Sequence, residues 1–443
     1  MKNVTNLSPG VITSTPEATR FRTPPRPGNH GIMFVILKPF DINDLSGSML
    51  AFSPLPHASP TAPRPSHRLH LFSAALAFAL AAWLLAPAGL LASPSDASPS
   101  DASPVRYVIH ISVDGLRPDA VTRHDVDELP HFYRLRREGA FTDKAHTDFD
   151  YSNTLPNHAA QLTGRPVVGE AGHHWMTNKD PLPGETLHTR RGAYVASVFD
   201  VAHDHGLRTA AYASKSKFVI FDRSYDATHG APDVTGSDDG RDKIDTFVID
   251  ADTEDLVERF VRDMEADPYG YAFLHLRNPD TQGHRWGWRL WKWHPYMRAV
   301  RHVDDLLGQV FALVDGDPRL AGNTAIILTA DHGGRGHDHG RGTREHYTVP
   351  FYVWGPGVDA DDLYTLNADI RLAPERDRPG FDAATQPIRN GSAANLALAL
   401  LGLGPVPGSS INADPGMLVR HPVAPVIESV TATAPEGEAG RRR

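Results

Sequence analysis

Short hydrophobic runs alternate with amphipathic stretches between residues 105 and 413. Runs of four to eight β-branched and aliphatic residues predict buried strands, whereas apolar positions three or four apart predict helices. Alternating strands and helices predict an α/β fold: a single large domain whose doubly wound, mostly parallel central sheet carries helices on both faces. The predicted strands are 106–113, 208–212, 271–276, 325–329 and one that follows His346 and ends at Trp354, and the helices are 129–138, one after Pro156, 196–205, 256–266, 296–314 and 395–401.

The hydrophobic pattern breaks down on both sides of this region. Residues 1–65 are rich in Pro, Ser and Thr and predict disorder, or an over-long start to the gene. Residues 66–92 predict a signal peptide or membrane anchor, and the repeat SPSDASPSDASP at 93–104 a flexible linker. Residues 414–443 predict a disordered tail.

The apolar run 71–92 follows a basic flank and contains the small residues Ala86-Pro87-Ala88, which is the pattern of an export signal. It is also long enough to remain as a membrane anchor. We therefore expect an exported protein, periplasmic or secreted, either cleaved or held at the membrane through 71–92. Oligomeric state is open.

The composition limits both the binding partners and the metal ligands that the protein can have. The formal net charge of −9 and pI of 6.2 argue against nucleic acid as a binding partner, because such a protein needs a basic face. There are 24 histidines and no cysteine. Any metal must therefore be held by nitrogen and oxygen ligands.

Candidate ligands of this kind cluster at predicted strand ends. Asp114 follows the first strand, Asp331-His332 follows the strand at 325–329, and His346 precedes the last one. In Asp280–His284, four-residue spacing across a glycine-containing loop lets both side chains turn onto one ion. Each element alone also fits a capped strand end or a surface pair, but six ligands at strand ends suit two divalent cations.

Thr154 is the candidate nucleophile. It precedes a predicted helix whose first-turn amides favour an anion. A threonine hydroxyl needs a base or a metal to remove its proton, and the alternative role is a plain N-cap. The predicted two-metal ligand set favours the nucleophile.

Five motifs, in this order, resemble the alkaline phosphatase superfamily, and within it the type I phosphodiesterase/nucleotide pyrophosphatase branch. They are VIHISVDGLRPDAV, NTLPNHAAQLTGRP, DTQGH, TADHGG and HYTVPFYVWGPG, and the similarity spans roughly residues 105–411. The resemblance implies one zinc on Asp280, His284 and His346, and a second on Asp114, Asp331, His332 and the Thr154 oxygen. It also matches Asn178 to an asparagine that binds a substrate phosphoryl oxygen.

The activity that the resemblance implies is hydrolysis of phosphodiester or pyrophosphate bonds in small, nucleotide-like substrates. It would use two Zn²⁺ and a phospho-threonine intermediate. The loop 333–345 is shorter than in the family's diesterases, and it holds His337 and His339 as alternatives to His346. His346 is preferred because it precedes a strand and Val349-Pro350, as the family pattern requires.

Other functions stay open. The same site could serve a phosphomonoesterase or a phosphonate hydrolase, although no compelling arginine accompanies Thr154 for a third phosphoryl oxygen. A non-catalytic metal-binding surface protein would be expected to have lost a ligand or the nucleophile, and none is lost. A phosphomutase does not fit an export signal, and the sequence around Thr154 lacks the Cys/Ser-x-Pro-x-Arg motif of sulfatases.

Substrate contacts are the least determined part of the site. Phe149 and Tyr151 could stack on a base or sugar, or simply pack the loop. Trp286 and the three tryptophans after it could line a pocket, anchor the next helix or touch a membrane. Lys215 and Lys217 are interpreted as a solvated basic face, with anion steering as the alternative.

Overall fold

The computed structural model describes residues 105–237 and 240–422. The predicted segments 1–65, 66–92 and 93–104 lie outside the described residues, as does most of the predicted tail. Seven strands form one sheet. They are β1 (Tyr107–Val113), β2 (Ala140–His146), β3 (Thr209–Ala213), β4 (Thr246–Ile249), β5 (Tyr271–Leu276), β6 (Thr324–Thr329) and β7 (Thr348–Trp354).

Helices connect these strands. They are α1 (Pro118–Thr122), α2 (Pro130–Glu138), α3 (Thr154–Thr163), α4 (Leu187–Arg191), α5 (Val198–Asp204), α6 (Val219–Tyr225), α7 (Thr253–Ala266), α8 (Asn278–Trp286), α9 (Pro295–Gly316), α10 (Arg344–Tyr347), α11 (Leu363–Leu366) and α12 (Ser392–Leu400). A single 3₁₀ turn, Ser216–Phe218, leads into α6.

The sheet order is β2-β7-β6-β1-β5-β3-β4. Strands β6, β1, β5, β3 and β4 run parallel, and β7 runs antiparallel to both of its neighbours. Consecutive residues of β1, β5 and β6 are buried, so both faces of the central sheet are covered. Helices α2, α7 and α9 pack together, and α3, α5 and α12 form a second group. The α/β, mostly parallel fold predicted from the sequence is confirmed.

The two strands absent from the sequence prediction lie at the edges of the sheet. In β2, AFTDKAH, polar residues interrupt the apolar pattern, and a bulge between Thr142 and Ala145 shifts its register with β7. Strand β4 has only four residues and pairs with β3 alone. An edge strand buries less surface than a central one, so its hydrophobic signal is weak.

The segment from Asp280 to His284 is helical, whereas the sequence predicted a loop. It lies within α8, where Pro279 occupies the first turn, a position in which proline is favoured. Gly283 is retained because a Cβ there would lie 2.3 Å from the indole ring of Trp288. The four-residue spacing is therefore one helical turn, which places both side chains on the same face.

The packed domain continues past residue 413, its predicted end. Met417 is buried, and the Asp359 amide donates to the Val419 carbonyl at 2.9 Å.

Within residues 105–237 and 240–422, no helix has the length and apolar character needed to cross a bilayer.

Candidate functional site

Three aspartates meet where the central parallel strands end. Asp114 directly follows β1, Asp280 lies in the first turn of α8 after β5, and Asp331 follows β6. Because β1 lies between β5 and β6, their carboxyl ends are adjacent. The Asp280 amide donates to the Asp114 carbonyl at 3.0 Å, and the Gly115 amide donates to Asp331 Oδ1 at 3.1 Å. This edge is where open α/β sheets bind their ligands.

The first ligand group consists of Asp114, Asp331 and His332, all fully buried. His332 Nε2 lies 3.6 Å from Asp114 Oδ1 and 3.2 Å from Asp331 Oδ2. None of these three atoms has a hydrogen-bond partner among the described residues. His332 Nδ1 donates to the Gly333 carbonyl at 2.8 Å, so Nε2 keeps its lone pair. Burying such lone-pair atoms without a hydrogen-bond partner lowers the stability of the fold, unless the atoms bind a cation.

The second ligand group consists of Asp280, His284 and His339. His284 Nδ1 donates to the His337 carbonyl at 3.1 Å, and His339 Nδ1 donates to the Ser152 carbonyl at 2.7 Å. The hydrogen bond with Asp280 raises the pKa of His284 in the metal-free protein. When both rings are neutral, as ligation requires, their Nε2 atoms both carry lone pairs and lie 3.1 Å apart. Two lone pairs cannot hydrogen-bond to each other, but they can share a metal ion.

His339, rather than His346, joins this second group, which corrects the sequence assignment. His346 Nδ1 accepts from the Arg341 amide at 3.1 Å, and neither of its ring nitrogens belongs to a ligand group. The loop after β6 folds back over the site, so that the His339 ring stacks on His332 with centroids 3.7 Å apart. Proximity to the next strand was therefore the wrong criterion for choosing among the histidines of this segment.

Lys215 links the two groups. Its Nζ lies 2.6 Å from Asp114 Oδ2 and 2.6 Å from Asp280 Oδ2. Burial opposes the lysine charge, but Asp114 and Asp280 together raise the pKa of Lys215 above its usual value. The solvated face predicted for this lysine is wrong.

Protonation states in the cluster follow from burial and charge. Burial, and then the neighbouring His339, lowers the pKa of His332 to about 3, so its ring is neutral and able to ligate. Burial, and then Asp114, raises the pKa of Asp331. Three carboxylates face one ammonium, so negative charge is left over when all three are ionised. Carboxylate and imidazole donors with this surplus charge fit divalent cations.

Thr154 lies beside the first group. It is buried at the first position of α3, and its carbonyl accepts from His158 Nδ1 at 2.8 Å. The same nitrogen lies 3.6 Å from Asp331 Oδ2. Asn178 Oδ1 accepts from the Leu155 amide at 3.1 Å, so Asn178 also faces this turn. Thr154 and Asn178 thus meet at one turn, which His158 connects to the Asp331 carboxylate.

Comparison with known proteins agrees with this arrangement. Residues 108–343 match the sequence profile of the family described as type I phosphodiesterase / nucleotide pyrophosphatase. The chain belongs to this family. Membership confirms the predicted resemblance and makes the chain a hydrolase of phosphoester bonds.

Solved structures similar to this family member share little sequence with it. An inactive variant of murine ectonucleotide pyrophosphatase/phosphodiesterase 5 in complex with AMP is 15% identical, covering 68% of this chain and 96% of its own, with a TM-score of 0.46. An alkaline phosphatase superfamily protein from Vibrio parahaemolyticus is 14% identical (68% and 67% covered, TM-score 0.43). The lipoteichoic acid synthase of Listeria monocytogenes is 12% identical (68% and 73% covered, TM-score 0.46).

The three residues predicted to contact the substrate do not all lie at the metal-ligand cluster. Phe149 packs edge-on against Tyr347, with the Arg378 guanidinium 4.3 Å above its ring. The Tyr151 hydroxyl lies 3.5 Å from the sulfur of Met176, near Asn178 in sequence. Trp286, the last residue of α8, is 48% exposed. Their substrate roles stay predictions.

Trp288, rather than Trp286, packs against the metal ligands. Its ring lies 5.1 Å from that of His284, and its Nε1 donates to the Gly115 carbonyl at 2.9 Å. It is therefore a support for the ligands.

Two polar supports of the cluster differ from the sequence analysis, which missed His275 and misassigned Lys215. His275, inside β5, lies with its Nε2 2.9 Å from Asp114 Oδ2. Lys215 comes two residues after the end of β3. The strand-end rule that found the aspartates would have found Lys215 as well, whereas His275 gave no signal because it lies within a buried strand.

Proposed function

We propose that this chain is an exported phosphodiesterase or pyrophosphatase that uses two zinc ions and a phospho-threonine on Thr154. The observation that carries the proposal is the pair of ligand groups whose unpaired donor atoms converge beside the first turn of α3. Asp114, Asp331 and His332 would hold one ion beside Thr154, and a second group of three would hold the other (Asp280, His284 and His339). Export rests on the sequence pattern at 66–92 alone.

The chain's own residues would act as follows. Thr154 Oγ1 loses its proton to water and attacks phosphorus, and the bond to the leaving alcohol or phosphate breaks as the leaving oxygen takes up a proton from water. A water molecule then displaces the threonine oxygen, which is reprotonated. The Asn178 amide nitrogen and the Thr154 amide would donate to the phosphoryl oxygens. His158 holds the Thr154 carbonyl and fixes the turn. Zinc, when bound, supplies Lewis-acid stabilisation of the attacking and leaving oxygens.

Small phosphate esters are the proposed substrates, with nucleotide-like leaving groups favoured. Support comes from the family's description and from the aromatic side chains of Phe149 and Tyr151 near the nucleophile. Neither a nucleic-acid partner nor an oligomeric state is part of the proposal.

One observation favours phosphomonoester hydrolysis as a second candidate. Lys217 Nζ lies 2.9 Å from the Asn178 carbonyl and 3.3 Å from its side-chain oxygen. A lysine beside the phosphoryl-binding amide supplies the positive group that the sequence seemed to lack. A monoester carries a second negative charge, so this lysine would favour it over a diester.

Zinc-loaded protein assayed with bis-p-nitrophenyl phosphate, p-nitrophenyl phosphate and a dinucleoside pyrophosphate separates the two candidates. Higher kcat/KM for the diester or pyrophosphate supports the first candidate, and preference for the monoester supports the second.

Thr154→Ala tests the nucleophile within either candidate. The variant should keep its zinc and lose about three orders of magnitude or more in kcat. Thr154→Ser, which keeps a hydroxyl, is the matched control and should retain measurable turnover. Near-normal hydrolysis by the alanine variant would remove Thr154 from the mechanism.

A further inference from the structure

Three exposed tryptophans stand on one loop beside the metal-ligand cluster. Residues 285–293, here called the Trp loop, run from the last turn of α8 towards α9. Trp286, Trp291 and Trp293 are 48%, 66% and 71% exposed. Tryptophan is normally buried for much of its surface, so three exposed indoles within eight residues form an unusual surface.

The same surface is basic. Residues 281–303 contain no Asp or Glu, although the whole chain has a formal charge of −9. Among the five basic residues of this stretch, Lys292 has an ion-pair partner, with its Nζ 3.1 Å from Glu128 Oε1. Arg285 and Arg289 stack instead on Trp286 and Trp291, at 5.1 and 5.2 Å. The basic residues are Arg285, Arg289, Lys292, Arg298 and Arg301.

The indoles are held outward by a fixed backbone. Trp288 is buried and anchors the middle of the loop to the Gly115 carbonyl. Arg298 donates to the Trp293 carbonyl at 2.8 Å, and Arg301 donates to the Lys292 carbonyl at 2.9 Å. These contacts tie the far end of the loop to α9, so its exposed rings are pre-positioned for contact with a partner.

We propose that the Trp loop docks on the surface of an anionic lipid bilayer. Tryptophan is enriched at the membrane–water interface, where an apolar ring with a polar N–H meets both environments. Arginine and lysine beside it add attraction to anionic headgroups. A single-stranded nucleic acid could also stack on indoles, and the experiment below distinguishes it from lipid.

Docking at this loop would bring the second ligand group close to the headgroups. Trp286 is two residues from His284, and Gly287 packs against Gly336 in the loop that carries His339. Docking on a bilayer does not depend on the proposed reaction, and it would hold for a catalytically dead chain.

Quenching of tryptophan fluorescence by brominated lipid tests the proposal on the full-length protein. Vesicles of brominated phosphatidylglycerol should quench the wild-type emission more strongly than vesicles of brominated phosphatidylcholine. Trp83, in the apolar run 71–92, contributes a background. With three loop indoles and Trp83 accessible, Trp291→Ser/Trp293→Ser should lose about half of the quenched amplitude. Hydrolysis of a soluble diester should not change.

Matched variants separate lipid contact from general surface change. Leu182→Ser/Leu372→Ser removes two residues that are 64% and 63% exposed elsewhere, and it should leave quenching unchanged. Arg289→Gln/Lys292→Gln should lower the apparent affinity for the anionic vesicles about tenfold or more, an effect that salt should also produce.

Three outcomes would overturn the proposal. Equal quenching in the wild type and the double tryptophan variant would show that Trp291 and Trp293 do not contact lipid. A fluorescence response to a single-stranded oligonucleotide without one to lipid would assign the loop to nucleic acid. Loss of quenching as protein concentration rises would assign it to a second copy of the chain.

Discussion

At the scale of single residues, hydrogen bonds from the Nδ1 atoms of three histidines orient their rings in the metal-ligand cluster. His284, His332 and His339 each donate from Nδ1 to a backbone carbonyl, so each neutral ring presents the lone pair of Nε2 to the cluster. A carbonyl can only accept, which fixes the tautomer. Such contacts orient ligating imidazoles and make them better ligands.

Alanine substitution of two nearby histidines tests the revised ligand assignment. His339→Ala removes a ligand of the second group, so we expect loss of one of two zinc ions and a fall of more than about 100-fold in kcat/KM. His346→Ala should keep both ions, because its ring nitrogens lie outside the ligand groups. Zinc content by mass spectrometry and steady-state kinetics provide the comparison, and the reverse ranking would restore His346.

Choosing between these histidines required the path of the loop. Asp114, Asp331 and His332 could be predicted because a strand end fixes where a residue lies in a parallel sheet. His339 lies in a loop without strand or helix, and its position depends on stacking against His332 and on Ser152, far away in sequence. Contacts of that kind leave no local pattern.

The helix α8 holds two ligands of the second group, Asp280 and His284, through one turn of hydrogen-bonded backbone. Sequence alone suggested a loop, since Pro279 and Gly283 both disfavour the interior of a helix. Proline occupies the first turn, and the glycine leaves room for Trp288. The glycine is therefore a consequence of tertiary packing, whereas the proline occupies a position that helices favour.

Gly283→Ala tests this packing at the scale of the element. The added methyl would meet the Trp288 ring, so we expect about 1–3 kcal/mol of destabilisation, together with weaker binding at the second ligand group. Gly316→Ala, at the end of α9, is the matched control because a Cβ there meets nothing within 4 Å. Urea denaturation of both variants provides the measurement. Equal stability of the two would mean that Trp288 does not pack as described.

The sheet as an element was largely predictable, and its edges were not. Central strands such as β1 and β6 are buried on both faces, so their apolar runs are unbroken. The direction of β7 could not be predicted, because a strand's sequence does not state whether its neighbour runs parallel. His346, just before β7, was assigned from that strand and was misjudged.

Buried neutral histidines make the whole molecule sensitive to acid. Burial is the main cause that lowers the pKa of three rings away from the ligand groups to about 3, those of His110, His146 and His173. Their unfolded pKa is about 6.5. The unfolded chain therefore binds more protons below that value, and stability is lost as pH falls from about 6.5 towards 3.

Chelated protein should show this loss directly. Between pH 7 and 5.5 each of these three rings contributes about 1 kcal/mol, so the three alone should lower the free energy of unfolding by on the order of 3 kcal/mol. The buried His332 ring adds to the fall in chelated protein. Urea titrations in chelator at the two pH values measure it. His110→Gln should reduce the difference by about 1 kcal/mol, and a free energy that does not change over this range would contradict the buried, neutral assignment.

The central claim is that two ligand groups hold two zinc ions beside Thr154, and an anomalous difference map at the zinc edge from zinc-loaded crystals tests it most directly. We predict two peaks, one between Asp114, Asp331 and His332 and the other between Asp280, His284 and His339. No peak at either group, or a peak bound by His346 in place of His339, would contradict the account.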